Sequence, residues 1–390
     1  MPIKSWFQSK ASQATRALTL WLPLPGATRL KPRYDQLMKE GYQQNSVVHA
    51  CVREIAGAAA SVPWLLYRHP KGGEWEEIND HPLLKLLRCP NPFMGQFEWV
   101  ETVISQLYLS GNVFIEAAGA RNTKPGELYP LRPDRMSVLP DRTDFIAGYE
   151  YRVGSETVRF APEEVLHLKL FNPLDDWYGQ SPVEVASIAV DKLNACDRWN
   201  AALLQNSAVP SGALVSKKRL SDEQFDRLKD EMASKFHGAQ TARLPLLLEE
   251  DLEWKELSVS PKDMDWIEGL RFSALQIAQI YNVPPELIGL APATHQNRKE
   301  ARKALYTEVV IPALSRLRDA LNRWLTPRFG KDLELDFNTD RIEALAEDRE
   351  SVWRRINAAR FLTLNEKREA LGYEPITGGD SLPDGKRVEH

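Results

Sequence analysis

Val47, Val48, Cys51, Ile55 and Ala58 recur at helical spacing, and the run Ser61-Val-Pro-Trp-Leu-Leu-Tyr67 behind them reads as extended, so residues 43–66 predict a helix leading into a strand. A Pro-rich loop at Cys89-Pro-Asn-Pro92 follows. Phe97 to Leu109 returns to helical spacing and Gly111 ends it. Short apolar runs at Val113–Ala117, Met136–Leu139, Tyr149–Val153, Thr157–Phe160 and Val165–Leu170 are separated by Pro, Gly and Asp turns. This first block is expected to be mixed α/β with a mostly antiparallel sheet.

The pattern then lengthens. Ser181-Pro-Val-Glu184 has the form of a capping box with proline at the first helical position. No breaker follows until about Asn206, which predicts a rod on the order of 37 Å for some 25 residues. Val183, Ala186, Val190, Leu193 and Cys196 form one apolar stripe, and Val185, Ile188 and Trp199 widen it. So wide a stripe suggests burial on more than one side, as when neighbouring subunits pack around the helix.

Pro210-Ser-Gly212 breaks the rod, and a compact α/β insertion is expected. It comprises an extended Ala213–Val215, a helix over 222–236 capped by Ser221, and strands near 244–248 and 252–257. Ser260-Pro-Lys-Asp263 starts a second long helix. That helix runs into Ile277-Ala-Gln-Ile-Tyr-Asn-Val-Pro-Pro-Glu-Leu-Ile-Gly-Leu290. There Val283 is pushed out of helical geometry by the following proline, Pro284 and Pro285 supply no amide hydrogens, and Gly289 can re-aim the chain. A stiff elbow is the expected result, with a loop over 290–297 and another helix over 298–325. Pro312 lies inside that last helix, where it removes one ladder bond and presses on the Glu308 carbonyl, so a kink is expected. A strand at Leu333–Phe337 and a helical end over 341–371, restarted by a capping box at Thr363–Glu366, complete the reading.

Composition narrows the chemistry. Charged residues make up 27% of the 390 and the net charge is −4, which argues against gripping nucleic acid by overall charge. Residues 1–34 depart from this average, since they carry Lys4, Lys10, Arg16, Arg29, Lys31 and Arg33 and no acid. Pro23 and Pro25 interrupt the short apolar run there, so the segment reads as a flexible basic arm and not a secretory signal. No stretch reaches the roughly 20 apolar residues of a membrane span. The cysteines Cys51, Cys89 and Cys196 form no C-x-x-C pair, so neither a disulfide framework nor a zinc ribbon is expected.

No phosphate loop, dinucleotide fingerprint, nucleophile elbow or H-E-x-x-H motif occurs, so no catalytic residues, cofactor or metal are assigned. The run Glu249, Glu250, Asp251, Glu253 and Glu256 is the one place where carboxylates could gather around a divalent ion. It crosses a predicted strand-turn-strand, where alternate side chains face opposite ways, and it reads better as a solvated or partner-facing acidic edge. Arg298, Lys299, Arg302 and Lys303 fall at i, i+1, i+4 and i+5 and make one positive helix face. Such a face suits solvent, DNA phosphates or a neighbour's acids. Lys217, Lys218 and Arg219 pose the same choice at the edge of the insertion.

The elbow resembles that of the portal proteins of tailed double-stranded DNA phages and related gene transfer agents. Four further segments stand in the order that family shows. They are Leu109-Ser-Gly-Asn-Val-Phe114, Tyr178-Gly-Gln-Ser-Pro-Val-Glu-Val-Ala186, Leu203-Leu-Gln-Asn-Ser-Ala-Val-Pro-Ser-Gly-Ala213, and Leu362-Thr-Leu-Asn-Glu-Lys-Arg-Glu-Ala-Leu-Gly372 with Gly378-Gly-Asp380 behind it. The resemblance implies an α+β, portal-like subunit of a ring oligomer. Its parts would be a mixed α/β wing over 35–178, a helical stem over 179–206 and 262–288, and a small α/β clip over 207–261. A tunnel loop over 289–297, a kinked wing helix and strand over 298–339 and a helical crown over 340–390 would follow.

In that reading a homo-dodecamer at one capsid vertex conducts double-stranded DNA without reading its sequence. Terminase large subunit and later a head-tail adaptor dock on the clip, the major capsid protein surrounds the ring, and assembly takes place in the host cytoplasm. His295, Gln296, Asn297, Arg298, Lys299, Arg302 and Lys303 become channel candidates. Lys217, Lys218, Arg219, Glu249, Glu250 and Asp251 become terminase- or adaptor-facing candidates, and Pro284, Pro285, Gly289 and Pro312 the structural elbow. Two other classes remain open on the residues alone: a DNA-processing enzyme with a carboxylate metal site, and a monomeric assembly adaptor or scaffold.

Overall fold

The computed structural model describes residues 37–69, 75–119, 124–141, 145–205, 212–216, 252–256, 266–371 and 375–381, with a few single residues between these spans. Its helices are α1 (Ser46–Ala60), α2 (Pro82–Arg88), α3 (Gln96–Ser110), α4 (Pro182–Val185), α5 (Ser187–Gln205), α6 (Trp266–Ile280), α7 (His295–Leu305), α8 (Ile311–Trp324), α9 (Ala346–Ala358) and α10 (Leu364–Ala370). The strands are β1 (Trp64–Arg68), β2 (Glu76–Glu77), β3 (Asn112–Ala118), β4 (Glu127–Leu131), β5 (Met136–Asp141), β6 (Phe145–Val153), β7 (Glu156–Phe160), β8 (Val165–Lys169), β9 (Gly212–Ser216), β10 (Leu252–Glu256) and β11 (Leu333–Phe337). The fold is mixed α+β. Chain segments sort into two compact units, Met1–Ile55, Thr102–Ala117 and Pro130–Pro292 in one, and Ala56–Glu101, Ala118–Tyr129 and Ala293–His390 in the other. The continuous span 35–178 is thus shared between the two.

In the first unit, β5, β6 and β7 form an antiparallel meander and β3 pairs antiparallel with β8, from Asn112↔Lys169 to Glu116↔Val165. The expected single sheet is therefore divided into small ones. Phe114, Met136, Val138, Tyr149 and Val165 are buried together between them, with Tyr178 packed alongside. Apolar residues alternating along short strands can fill a core only in this way, one face in and one face out.

The predicted rod from 181 is corrected to two pieces. Ser181 caps α4 by accepting from the Glu184 amide at 3.3 Å, but a turn at Ala186 (φ −81°, ψ −2°) interrupts the helix before α5 begins. Of the predicted stripe, Val183, Ala186, Val190 and Leu193 are buried and Cys196 is half-buried, whereas the flanking Val185 and Ile188 are 52% and 71% exposed. Helix α5 packs against α6 and against the turn of π-helix Leu37–Gln43. Strand β9 pairs antiparallel with β10, from Gly212↔Glu256 to Ser216↔Leu252. The expected strand at 244–248, most of the helix at 222–236 and the helix start at 260–263 lie outside the described residues, as do residues 1–36.

In the second unit, β11 pairs antiparallel with β1, from Trp64↔Phe337 to Arg68↔Leu333, and β2 pairs with the far side of β1. Helix α8 is tied to this sheet by Asn322, which donates to the Leu335 carbonyl and accepts from the Leu335 amide, both at 2.8 Å. Pro312 produces a specific accommodation: residues Tyr306–Val310 form a π turn directly before α8, and the Ile311 amide reaches back to the Tyr306 carbonyl. Widening the turn by one residue absorbs the ladder bond that proline cannot make. Among the described residues no helix is long and apolar enough to cross a membrane.

Candidate functional site

Two of the sequence motifs that lie far apart in the chain meet at the root of the helix pair. Gly111 terminates α3 with φ +73°, and the chain turns directly into β3. Asn112, 6% exposed, then makes four side-chain bonds. Its Oδ1 accepts from the Gly179 amide at 2.7 Å, and its Nδ2 donates to the Ser110 and Gly179 carbonyls at 2.9 and 3.2 Å. Since the Gly179 amide can only donate, Oδ1 is fixed as an acceptor, and so His167 Nε2, 3.1 Å away, carries the proton and donates to it. His167 also stacks on Phe114 at 4.1 Å, and burial, followed by the Lys169 charge, pulls its pKa down to about 3. The imidazole is held neutral.

The partner motif closes the joint. Ser181 Oγ donates to the Leu109 carbonyl at 2.6 Å while capping α4, and Tyr178 Oη accepts from the Val138 amide at 2.8 Å. A Cβ on Gly179 would run into the Gly111 carbonyl oxygen and the Leu170 backbone, so only glycine allows these chain segments so close an approach. Leu109–Phe114 and Tyr178–Ala186 are thus one structural knot that fixes where the helix pair leaves the sheet. The motif letters were visible in the sequence, but their pairing was not.

At the other end of α6 the elbow is built more specifically than the proline pair implied. Asn282 stands in left-handed geometry at φ +53°. Its amide bonds the Gln279 carbonyl at 3.0 Å and the Val283 amide bonds the Ala278 carbonyl at 2.9 Å, the two bonds of a Schellman stop. Val283 and Ala278 are both buried, completing that stop with its apolar contact. Pro284 and Pro285 then follow, their carbonyls accepting from the Leu287 and Leu290 amides at 3.1 and 2.9 Å, and Gly289 turns the chain at φ +79°. An asparagine two residues before a double proline is the signal that sequence reasoning passed over.

The expected loop over 290–297 is shorter than predicted. Thr294 caps α7 by accepting from the Asn297 amide at 3.2 Å, so His295, Gln296 and Asn297 form its first turn and not a loop. The helix begins there because threonine satisfies an amide that would otherwise have no partner. Residues 295–300 are exposed, Arg302 and Lys303 half-buried, and Ala301 and Leu305 anchor the opposite side. By helical spacing the four cations share one face, and beside it Glu300 accepts from Gln296 Nε2 at 3.2 Å. Arg298 and Lys299 lie toward the N-terminal half, where the helix dipole gives a cation no stabilisation. Lys217, Lys218, Arg219, Glu249, Glu250 and Asp251 lie outside the described residues. Among the described residues no three His, Cys, Asp or Glu side chains gather where a metal would bind.

The last motif folds onto itself. The Thr363 and Glu366 capping box is present in both directions, with the Thr363 amide donating to Glu366 at 2.7 Å. Asn365 then captures the Gly378-Gly-Asp380 segment. Its backbone amide donates to the Gly379 carbonyl at 2.9 Å, its Oδ1 accepts from the Ile376 amide at 2.7 Å, and its Nδ2 donates to Asp380 at 2.7 Å.

The knot, caps and stops hold helix ends and turns in place through buried and part-buried hydrogen bonds. The sequence matches the family described as phage portal protein over residues 46–372, and the chain belongs to that family, whose members are structural and not enzymatic. It is 24% identical over 348 residues to the portal protein of Enterobacteria phage HK97, covering 86% of this chain and 80% of that one. The fold is similar to a chain in the neck of an empty gene transfer agent particle computed with C6 symmetry (TM-score 0.73, 39% identity, 94% of this chain and 100% of that chain). It is also similar to a chain in the neck of the native particle computed with C12 symmetry (TM-score 0.71, 38% identity, 94% and 100%).

Proposed function

We propose that this protein forms a dodecameric ring at one vertex of a phage or gene transfer agent capsid and serves as the channel through which double-stranded DNA enters and leaves. The observation that carries this reading is the 38% identity, over 94% of the chain, to a subunit in a neck computed with C12 symmetry. Helices α5 and α6 serve as the stem and the β9–β10 region as the clip, where terminase and later a head-tail adaptor dock. The remaining sheets form the wing toward the major capsid protein, and the helical end from 340 forms the crown.

Charge is consistent with conduction. Twelve copies at −4 each carry −48, so the ring as a whole repels phosphate. Every phosphate neutralised adds salt-sensitive affinity, with a log-log slope of about −0.9 per contact, and many tight contacts would stall a moving duplex. A row of Arg298, Lys299, Arg302 and Lys303 from each copy offers a few transient contacts instead, made to backbone and not to bases.

Light scattering and electron microscopy of the purified chain test the ring: particles with a central bore wider than a duplex are expected, and a 44.4 kDa monomer at all concentrations, under capsid-assembly conditions included, refutes it. Neutralising the four cations to glutamine is expected to leave rings intact and to reduce the DNA packaged per particle. Unchanged packaging would remove those residues from the channel.

A further inference from the structure

Helices α9 and α10 border a cleft of about 430 Å3, within the range of about 300–1,000 Å3 that receives ligands or inserted side chains. Trp353, Ile356, Leu364, Leu371 and Tyr373 line it, and Trp353, Leu364 and Tyr373 are each 50% exposed. Apolar side chains left bare one at a time need no explanation, but five that converge on one concavity mark a docking surface. Hydrogen bonds tie its walls together. Lys367 Nζ reaches from α10 to the Asn357 carbonyl at 3.1 Å, where the last turn of α9 leaves acceptors open and the helix dipole favours a cation. The Tyr373 amide folds back onto the Arg368 carbonyl at 2.8 Å, and the Arg368 guanidinium lies 5.6 Å from the Tyr373 ring. Asn365, bonded to Ile376 and Asp380, holds the segment that follows. A cleft fixed in this way gives up little conformational freedom when something enters it.

Charge and backbone select the occupant. Between residues 353 and 373 the cations Arg354, Arg355, Arg360, Lys367 and Arg368 stand against only two carboxylates, Glu366 and Glu369, and Glu366 is engaged in the capping box. This end is therefore basic in a chain whose net charge is −4, and it favours an acidic partner. Residues 1–34, with six cations and no acid, have the wrong sign to fill it. No strand edge borders the cleft, since its lining comes from α9, α10 and the turn after them. An extended peptide would find no ladder to join, whereas a helix satisfies its own backbone.

We infer that this cleft docks a short acidic amphipathic helix of another protein. The helix seats leucine or aromatic side chains against Trp353, Leu364 and Tyr373 and sets its carboxylates toward Arg354 and Arg368. The lining runs along α9 from Glu350 to Asn357, about 10 Å at about 1.5 Å per residue, so some two turns of the partner make the contact, with anchors at i, i+3 or i+4, and i+7. The inference gives the helical end a partner where the ring reading names none, and it does not depend on the ring.

The test is fluorescence anisotropy of the full chain with a labelled synthetic peptide of about 18 residues, long enough to be helical by itself, bearing leucines on one face and glutamate and alanine elsewhere. A second peptide carries lysine for every glutamate. Saturable binding of the glutamate peptide is expected, with the lysine peptide at least about tenfold weaker because like charges then face one another. Hydrogen exchange of the wild-type chain should show the bound peptide protecting residues 350–373. Trp353→Gln and Leu364→Asp are each expected to weaken binding about tenfold or more, and an acid in the first turn of α10 suits the helix dipole, so the second change spares the fold. Arg354→Glu, on a side chain 73% exposed, should narrow the difference between the two peptides. No binding, equal binding of both peptides, or affinity unchanged in Trp353→Gln and Leu364→Asp overturns the inference. A loss of assembly by light scattering in those two variants, with unchanged circular dichroism, also overturns it, because the face is then a contact between copies. So does a short DNA duplex that protects residues 350–373 where the glutamate peptide does not.

Discussion

Replacing Asn112 by alanine removes the centre of the knot and leaves every group around it in place. The Gly179 amide and carbonyl, both in a buried residue, lose their partners at 2.7 and 3.2 Å, the buried Ser110 carbonyl loses one of its bonds, and His167 Nε2–H loses its acceptor. A buried polar group left unsatisfied costs about 1–3 kcal/mol. Penalties of adjacent groups do not add fully, so the expected loss is roughly 3–5 kcal/mol. Hydrogen exchange reads it locally: 3 kcal/mol corresponds to on the order of a hundredfold loss of protection, concentrated in peptides over 110–117 and 178–186. Peptides over 333–337 in the other unit serve as the internal reference. A decrease below about threefold in the two knot peptides would show that Asn112 is dispensable and that the motif match there has no structural cause.

The remaining expectations are independent of it. Gly179→Ala forces a Cβ against the Gly111 carbonyl and should cost at least about 2–3 kcal/mol by urea unfolding, whereas Gly154→Ala, where the space is open, should cost only the strain of φ +60°, about 1–2 kcal/mol. Because burial depresses the His167 pKa to about 3, this group contributes no pH dependence above about 6.5. Below that the unfolded chain takes up a proton that the folded chain refuses, and stability falls by at most about 1.4 kcal/mol per pH unit toward pH 3. His167→Gln should flatten the curve between pH 6.5 and 4, and an unchanged slope would assign the acid sensitivity elsewhere. Asn282→Ala should cost about 1–2 kcal/mol while Asn282→Gly stays near neutral, as φ +53° demands; equal effects in a thermal melt would deny the Schellman stop its role. Asn365→Ala should release the 376–381 segment, seen as new proteolytic cleavage there with the rest of the chain protected.

Sequence reading did best where one local rule decides the outcome. The strand Leu333–Phe337 falls on the residues that the apolar run predicted, and the Thr363–Glu366 box forms as its letters require. The failures are equally physical. The rod from 181 breaks at Ala186, a residue with the highest helix propensity, so composition gave no warning. Helix α2 was missed because Leu-Leu-Lys-Leu-Leu is too short to display a helical period, although His81 caps it and proline opens it. The 290–297 loop was overextended because a threonine cap followed by polar residues reads alike as loop or as exposed helix.

By itself the sequence determined the element types, the stops, and the order of motifs that ties the chain to its family, because caps, prolines and apolar periods act over a few residues. Only the tertiary structure decided that Asn112 and Gly179, 67 residues apart, form one joint, and that β11 pairs with β1 across more than half of the chain. It also decided which apolar positions of α5 are covered and which are left open. Those outcomes depend on which surfaces meet after the chain has folded back on itself, and the apolar positions of one helix look alike until a neighbour has buried some of them.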